Sequence, residues 1–208
     1  IKYAIHLSLN GVHALAETPS TMLALGTRAP DFSLLEPATG IMRSLSDFAD
    51  SDAFLLMVLS NHCPFVKHIA GGLAEFAREY EQRGVGIVAI NANDVMAYPA
   101  DSPEKMADEV RARGYVFPYL FDGSQEVVKA YQAACTPDFF LFGADRKLVY
   151  RGQFDASRPS LPISVTGQDL RDACEAVLAG RCPDEEQVPS VGCNIKWKPG
   201  NEPRWFRH

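Results

Sequence analysis

Two apolar runs dominate the pattern of the chain: Ala53-Phe54-Leu55-Leu56-Met57-Val58-Leu59 and Val85-Gly86-Ile87-Val88-Ala89-Ile90. Neither alternates with polar residues, so each predicts a strand buried on both faces. Between them Ile69, Leu73, Phe76, Ala77 and Tyr80 recur at spacings of three and four, the single apolar stripe of a helix. Pro64 suits the first position of that helix and Arg83-Gly84 its stop. Gly71-Gly72 inside it predicts a kink or a close approach to the sheet.

Shorter signals fill in the rest. Phe32 and Leu34 alternate with polar neighbours over 29–34, Gly40 marks a turn, and 41–44 returns as a second strand. Leu45-Ser46-Asp47-Phe48 predicts one helical turn. Ser102-Pro103-Glu104 opens a capped helix that ends near Arg113-Gly114. Tyr119-Leu120-Phe121 predicts a short strand, Asp122-Gly123 a turn and 125–133 a helix. The strand Phe139-Phe140-Leu141-Phe142 turns at 143–146 and pairs back over 147–152. A last amphipathic helix over 167–180 runs through Leu170, Ala173, Cys174 and Val177. The expected organisation is an N-terminal extension (1–25), one domain (26–180) and an irregular, Pro- and Gly-containing tail (181–208). Strand and helix alternate before a final hairpin and helix. The fold class is therefore α/β, with parallel central strands in a mixed sheet and helices on both faces.

Composition narrows the function. At 208 residues the chain can bury a substantial core. Its formal net charge of -6, without basic clusters, argues against nucleic acid and anionic membrane surfaces as partners. No apolar run approaches a membrane span. Residues 1–15 mix His6, Asn10 and His13 into an apolar stretch, which reads as an extension of a cytoplasmic protein rather than a leader. The five cysteines (Cys63, Cys135, Cys174, Cys182, Cys193) are widely spaced and odd in number, the pattern of a reducing compartment with reactive thiols. Cys174 falls on the apolar face of the last helix, and Cys182 falls in a loop.

Cys63 lies where the first buried strand ends and the long helix begins. Unpaired N–H groups and the helix dipole there favour an anion, and a thiolate is one. Cys63 is the candidate nucleophile, with Pro64 at the helix start. A small buried hydrophobe is the competing reading. Lys67, one turn on, is expected to stabilise the thiolate or simply to be solvated. His62 is the candidate proton relay, and His68 flanks the site. Asn61, Asn91 and Asn93 come from the ends of adjacent strands, where open α/β sheets bind ligands. Arg151 and Arg158 either receive an anionic substrate or pair with Asp155. No glycine-rich phosphate loop is present, and neither cofactor nor metal is expected.

The sequence resembles the thioredoxin superfamily, on its peroxiredoxin side, over roughly 26–180. Ala29-Pro30-Asp31-Phe32, the Cys63-Pro64 corner, Thr136-Pro137 ahead of a hairpin, and the final helix follow the family's order. The resemblance implies a cis bond at Thr136-Pro137 facing the redox cysteine, with Cys135 near it. It also implies that Cys193 can fold back as a resolving thiol, as C-terminal cysteines do in some peroxiredoxins. Two departures matter. Val66 stands where thioredoxins carry their second cysteine, and the Pro-x-x-x-Thr-x-x pattern of peroxiredoxins is missing. The chain is most similar to a peroxiredoxin-like redoxin group with a lone first cysteine.

The expected activity is a thiol-dependent oxidoreductase acting on a disulfide or a peroxide. Cys63 is the nucleophile and Lys67 assists it. Cys135 or Cys193 resolves the intermediate. Asn61, His62, Pro64, Thr136, Pro137, Asn91 and Arg151 are the candidate substrate contacts. Expected partners are a thiol/disulfide protein or a small-molecule oxidant, an electron donor, and a second copy in a homodimer. Two rival readings are a metal-delivery protein of the same fold, using Cys63, His62, His68 and Cys135, and a redox-inactive binding module.

Overall fold

The computed structural model describes residues 17–206, so the expectation for 1–15 lies outside the described residues. In chain order the elements are β1 (Glu17–Pro19), β2 (Ser33–Glu36), β3 (Ile41–Ser44), a 3-10 turn (Leu45–Phe48), β4 (Ala53–Val58), α1 (Pro64–Glu81) and β5 (Val85–Asn91). A second 3-10 turn (Pro99–Asp101), α2 (Pro103–Arg113), β6 (Tyr119–Phe121), α3 (Glu126–Ala130), β7 (Cys135–Thr136), β8 (Asp138–Gly143), β9 (Leu148–Gly152), α4 (Gln168–Leu178) and β10 (Val191–Asn194) complete them.

The main sheet has seven strands in the order β3-β2-β6-β5-β4-β8-β9. The pairs β4–β5 and β5–β6 are parallel, and the others are antiparallel. The expected mixed sheet is present. Period-2 geometry splits β4 between two cores. Ala53, Leu55 and Met57 pack with Leu73 and Phe76 of α1, Met106 of α2 and Leu170 of α4. Phe54, Leu56 and Val58 pack on the other face with Val128 of α3, Phe32 and Trp197. Every β4 side chain is buried, which explains the unbroken apolar run.

Helix boundaries follow local chemistry. Ser102 accepts the Lys105 N–H at 3.4 Å and Pro103 fills the first position of α2, while Gly114 closes it in the left-handed region at φ 65°. In α1, a Cβ on Gly72 would sit 2.8 Å from Val165 Cγ1. The close approach is therefore to the 155–167 loop, not to the sheet. A Cβ on Gly71 would meet nothing, and nothing in the structure explains that glycine.

The tail departs from its expected irregularity. β10 is the middle strand of a second, three-stranded sheet, between β1 and β7 and antiparallel to both. Gly192 makes this possible, since a Cβ there would lie 2.0 Å from the Thr136 carbonyl oxygen. Beyond the strand, the Lys196 N–H donates to Asn93 Oδ1 and the Asp94 N–H to the Lys196 carbonyl, both at 2.8 Å. The tail is thus fastened across the end of the main sheet where β4 and β5 stop.

Candidate active site

Cys63 is the N-cap of α1, extended at φ -64° and ψ 123°, with Pro64 following. The residue is 0% exposed. As a thiol, Sγ donates to the Thr136 carbonyl at 3.0 Å. The Thr136-Pro137 bond is cis, as the family resemblance implied. In the register of β10 against β7, Cys193 stands opposite Thr136, the residue whose carbonyl the Cys63 thiol meets, so the two cysteines are neighbours across that residue. The Cys193 thiol, as a donor toward Cys63, is the largest influence on it. It overcomes the opposing effect of burial and, with smaller help from the Thr136 side chain and the Val66 N–H, lowers the thiol from 9.0 to about 5. The Val66 N–H acts without the geometry of a full cap hydrogen bond. The Thr136 carbonyl can accept only from the protonated form, so the thiolate rests chiefly on the Cys193 donor, with the Thr136 side chain and the Val66 N–H behind it. Cys193 moves the opposite way, upward, because it is the partner that keeps its proton and because it is partly buried.

The other thiols are quiet. Cys135 is buried beside the site, and desolvation with the nearby Asp138 charge pushes it well above its ordinary value. Its Sγ lies 3.5 Å from the Pro137 carbonyl rather than on Cys63. Burial pushes Cys174 up to about 12 in the core, and Cys182 is exposed.

The corner before Cys63 is held by Asp101, which is 0% exposed. Asn61 N–H (2.7 Å), Ser60 Oγ (3.1 Å), Asn91 Nδ2 (3.0 Å) and Asn93 Nδ2 (2.9 Å) donate to its carboxylate, as does His62 Nδ1. Burial opposes the charge, but the bonds from His62, Asn93 and Asn91 outweigh it and hold the carboxyl at about 2. With Nδ1 spent on Asp101, His62 keeps Nε2 for other partners, and its ring stacks on Tyr98 at 5.3 Å.

Several expected contacts find other work. Lys67 is exposed, and it is not among the groups acting most strongly on the Cys63 thiol. The N-cap's extended backbone takes Cys63 off the helical face that the four-residue spacing assumes. Asn91 is 0% exposed, with both side-chain ends bonded to Asp101 and the Asn93 N–H, so it supports the corner and presents nothing to a ligand. Arg151 is committed to the Leu23 carbonyl (3.0 Å) and Gln187 Oε1 (2.7 Å), fastening chain segments together. Arg158 binds the Asp155 and Ser157 carbonyls and Gln153 Oε1, not the Asp155 carboxylate. His68 meets Ser157 Oγ at 3.1 Å. Asn61 gives its Nδ2 to the Ala100 carbonyl at 2.9 Å, and its Oδ1 is buried without a partner. Thr136 lies between the two cysteines, with Pro137 after it, and Pro64 follows Cys63. A cavity of about 20 Å³, walled by Phe65, His68, Pro137, Arg158 and Val191, lies beside them and admits a water-sized molecule. Among the described residues no group of three or more His, Cys, Asp or Glu side chains could hold a metal ion. Among them no helix is long and apolar enough to cross a membrane.

Residues 25–151 match the model of the AhpC/TSA family. The chain belongs to that family. It is 31% identical over 124 residues to the thiol-disulfide oxidoreductase ResA of Geobacillus kaustophilus, a stretch covering 60% of this chain and 66% of that one, just under two thirds of the relative's length. A hypothetical protein of Sinorhizobium meliloti has a similar crystal structure, at 53% identity and TM-score 0.86, covering 88% of this chain and 100% of that one. The thioredoxin domain of a Bacteroides vulgatus thiol-disulfide oxidoreductase shares the fold at 16% identity and TM-score 0.55, covering 72% and 96%. The fold is thioredoxin-like.

Within this AhpC/TSA chain the family match stops at 151, before the strand that brings Cys193 to Cys63. Asp101 escaped the sequence reading as well. It lies in a 3-10 turn that looks like the lead-in to the α2 cap, and nothing local shows that its carboxylate turns inward. The only available signal was an excess of short polar residues (Ser60, Asn61, Asn91, Asn93) at two strand ends, which need a buried acceptor.

Proposed function

We propose that this AhpC/TSA chain is a thiol oxidoreductase in which Cys63 is the nucleophile and Cys193 the resolving thiol. The observation that carries this reading is the placement of Cys193 opposite Thr136, whose carbonyl the Cys63 thiol meets at 3.0 Å, with Cys63 as the acidic partner. The relatives named thiol-disulfide oxidoreductases support the reaction class.

With a disulfide as oxidant, the Cys63 thiolate attacks one sulfur. A mixed disulfide forms, and the other sulfur leaves as a thiolate and takes a proton. With a hydroperoxide, Cys63 attacks the terminal oxygen, the O–O bond breaks, an alcohol or water leaves, and Cys63 becomes a sulfenic acid. In either case Cys193, deprotonated as it reacts, attacks the Cys63 sulfur. It expels the second thiol or water and leaves a Cys63–Cys193 disulfide. An external thiol pair returns both sulfurs to the reduced state, two electrons per cycle. Thr136 and Pro137 line the approach. Lys67 has no required part.

One equivalent of diamide should cross-link Cys63 to Cys193, read by peptide mass spectrometry. Cys63→Ser should abolish mixed-disulfide trapping and turnover with both oxidant types. Full turnover in that variant refutes the assignment.

A further inference from the structure

We infer that Asp101 is the positioning residue of the thiol pair, one buried carboxylate fixing both the corner that carries Cys63 and the tail segment that carries Cys193. The inference rests on the Cys63–Cys193 reading above.

The carboxylate's bonds run two ways. Toward the nucleophile, it takes donors from Ser60, Asn61 and His62, the three residues immediately before Cys63. Toward the resolving thiol, it takes Asn93 Nδ2, and this settles which way the Asn93 amide faces. Asn93 Oδ1 is then the acceptor that receives the Lys196 N–H, three residues beyond Cys193. The Asp94 N–H returns a second bond to the Lys196 carbonyl, so the tail is pinned on both sides of one residue. Asn91 ties the same carboxylate to the end of β5.

A carboxylate that only stabilised a loop would bond within that loop, as Asp155 does with the Ser157, Thr166 and Gly167 N–H groups. Asp101 instead joins two segments of the chain, bonding Asn61 40 residues before it and Asn93 8 residues before it, and Asn93 in turn receives the Lys196 N–H 103 residues on. Replacing it with Asn sets an NH₂ group against donors that need an acceptor. The corner and the tail are then free to move relative to each other.

The test uses the full chain and two readouts that a loss of stability alone does not move. One is the pH at which Cys63 is half-maximally alkylated by iodoacetamide, read on its own peptide. The other is the equilibrium of the Cys63–Cys193 disulfide with reduced and oxidised glutathione. Asp101→Asn should raise the alkylation midpoint by about one pH unit or more and lower the disulfide equilibrium constant about tenfold or more. Asn93→Ala leaves Asp101 and the corner in place and cuts the tail tether. It should lower the equilibrium constant with a smaller change in midpoint, and it decides the question if Asp101→Asn does not fold. Asp155→Asn, the control, should melt earlier with both thiol readouts unchanged. If Asp101→Asn or Asn93→Ala melts earlier while both readouts stay at wild type, Asp101 is a stabilising clamp and the inference is wrong. If the wild-type chain forms no Cys63–Cys193 disulfide, the proposed function fails separately, and the alkylation midpoint still decides the role of Asp101.

Discussion

Cys193→Ala removes the donor that acts most strongly on Cys63 while leaving β10 its backbone pairing. The whole displacement of Cys63, from 9.0 to about 5, corresponds to about 5 kcal/mol of preference for the thiolate at about 1.36 kcal/mol per pH unit. Thr136 and the Val66 N–H share that preference, and burial opposes it. A hydrogen bond to a charged group contributes about 1.5–3 kcal/mol, so losing the Cys193 donor should return Cys63 to about pH 6–7. At pH 7 the variant would still be about half to nine-tenths thiolate, at most a twofold loss, so a single rate at that pH would understate the effect. The assay is thiolate absorbance near 240 nm, or alkylation of the Cys63 peptide, followed across the acid range in both proteins. Cys193→Ser, which keeps a hydroxyl donor, should fall between the two. An unchanged midpoint in Cys193→Ala would show that the helix terminus and Thr136 alone acidify Cys63, and the two-sulfur account would be lost.

Two further outcomes follow from packing and burial. Gly192→Ala places a Cβ where the Thr136 carbonyl already lies, so β10 must lift from β7 at a cost of about 1–3 kcal/mol. The melting temperature should fall, diamide cross-linking should slow, and Cys63 should become reactive toward bulky maleimides; a variant still closed to such reagents would contradict the fit. Asp138, wholly buried, is pushed up by desolvation to about 7. A raised carboxyl contributes its stability at low pH and loses it as pH rises through that value. Relative to Asp138→Asn, the wild type should therefore lose stability between about pH 4 and pH 7 in chemical denaturation, whereas a constant difference across that window would place the proton elsewhere.

The sheet was legible because its signals are local. Buried central strands must be nearly continuously apolar, and 53–58 and 85–90 are; α2 carries its own cap and stop in Ser102 and Gly114. Cys63 was legible for the same reason, as a strand end joined to a helix start. Its partners were not, because they act across long sequence separations. β10 is four residues without alternation, and its place depends on Gly192 meeting a carbonyl 56 positions away (192 − 136). The spacing rule failed at Lys67 because an N-cap is not on the helical face. At Asn91 and Arg151, polar residues near a plausible binding edge proved to be satisfied internally, by Asp101 and by the Leu23 carbonyl. Sequence shows which groups can bind a ligand but not which ones the protein already occupies.

The position of β10 also links the redox state to the stability of the whole domain. A bond between Cys63 and Cys193 would close a loop of about 130 residues (193 − 63). In the chain-entropy account, closing a loop of this size costs the unfolded chain about 5 kcal/mol of freedom. That is comparable with the entire stability of an ordinary domain. The oxidised protein would then be the more durable form, and reduction would return it to ordinary marginal stability. Because the linkage is reciprocal, any change that stabilises the docked tail also makes the bond harder to reduce. A mutation far from either sulfur that alters the docking of the tail would then register in the redox equilibrium of the pair.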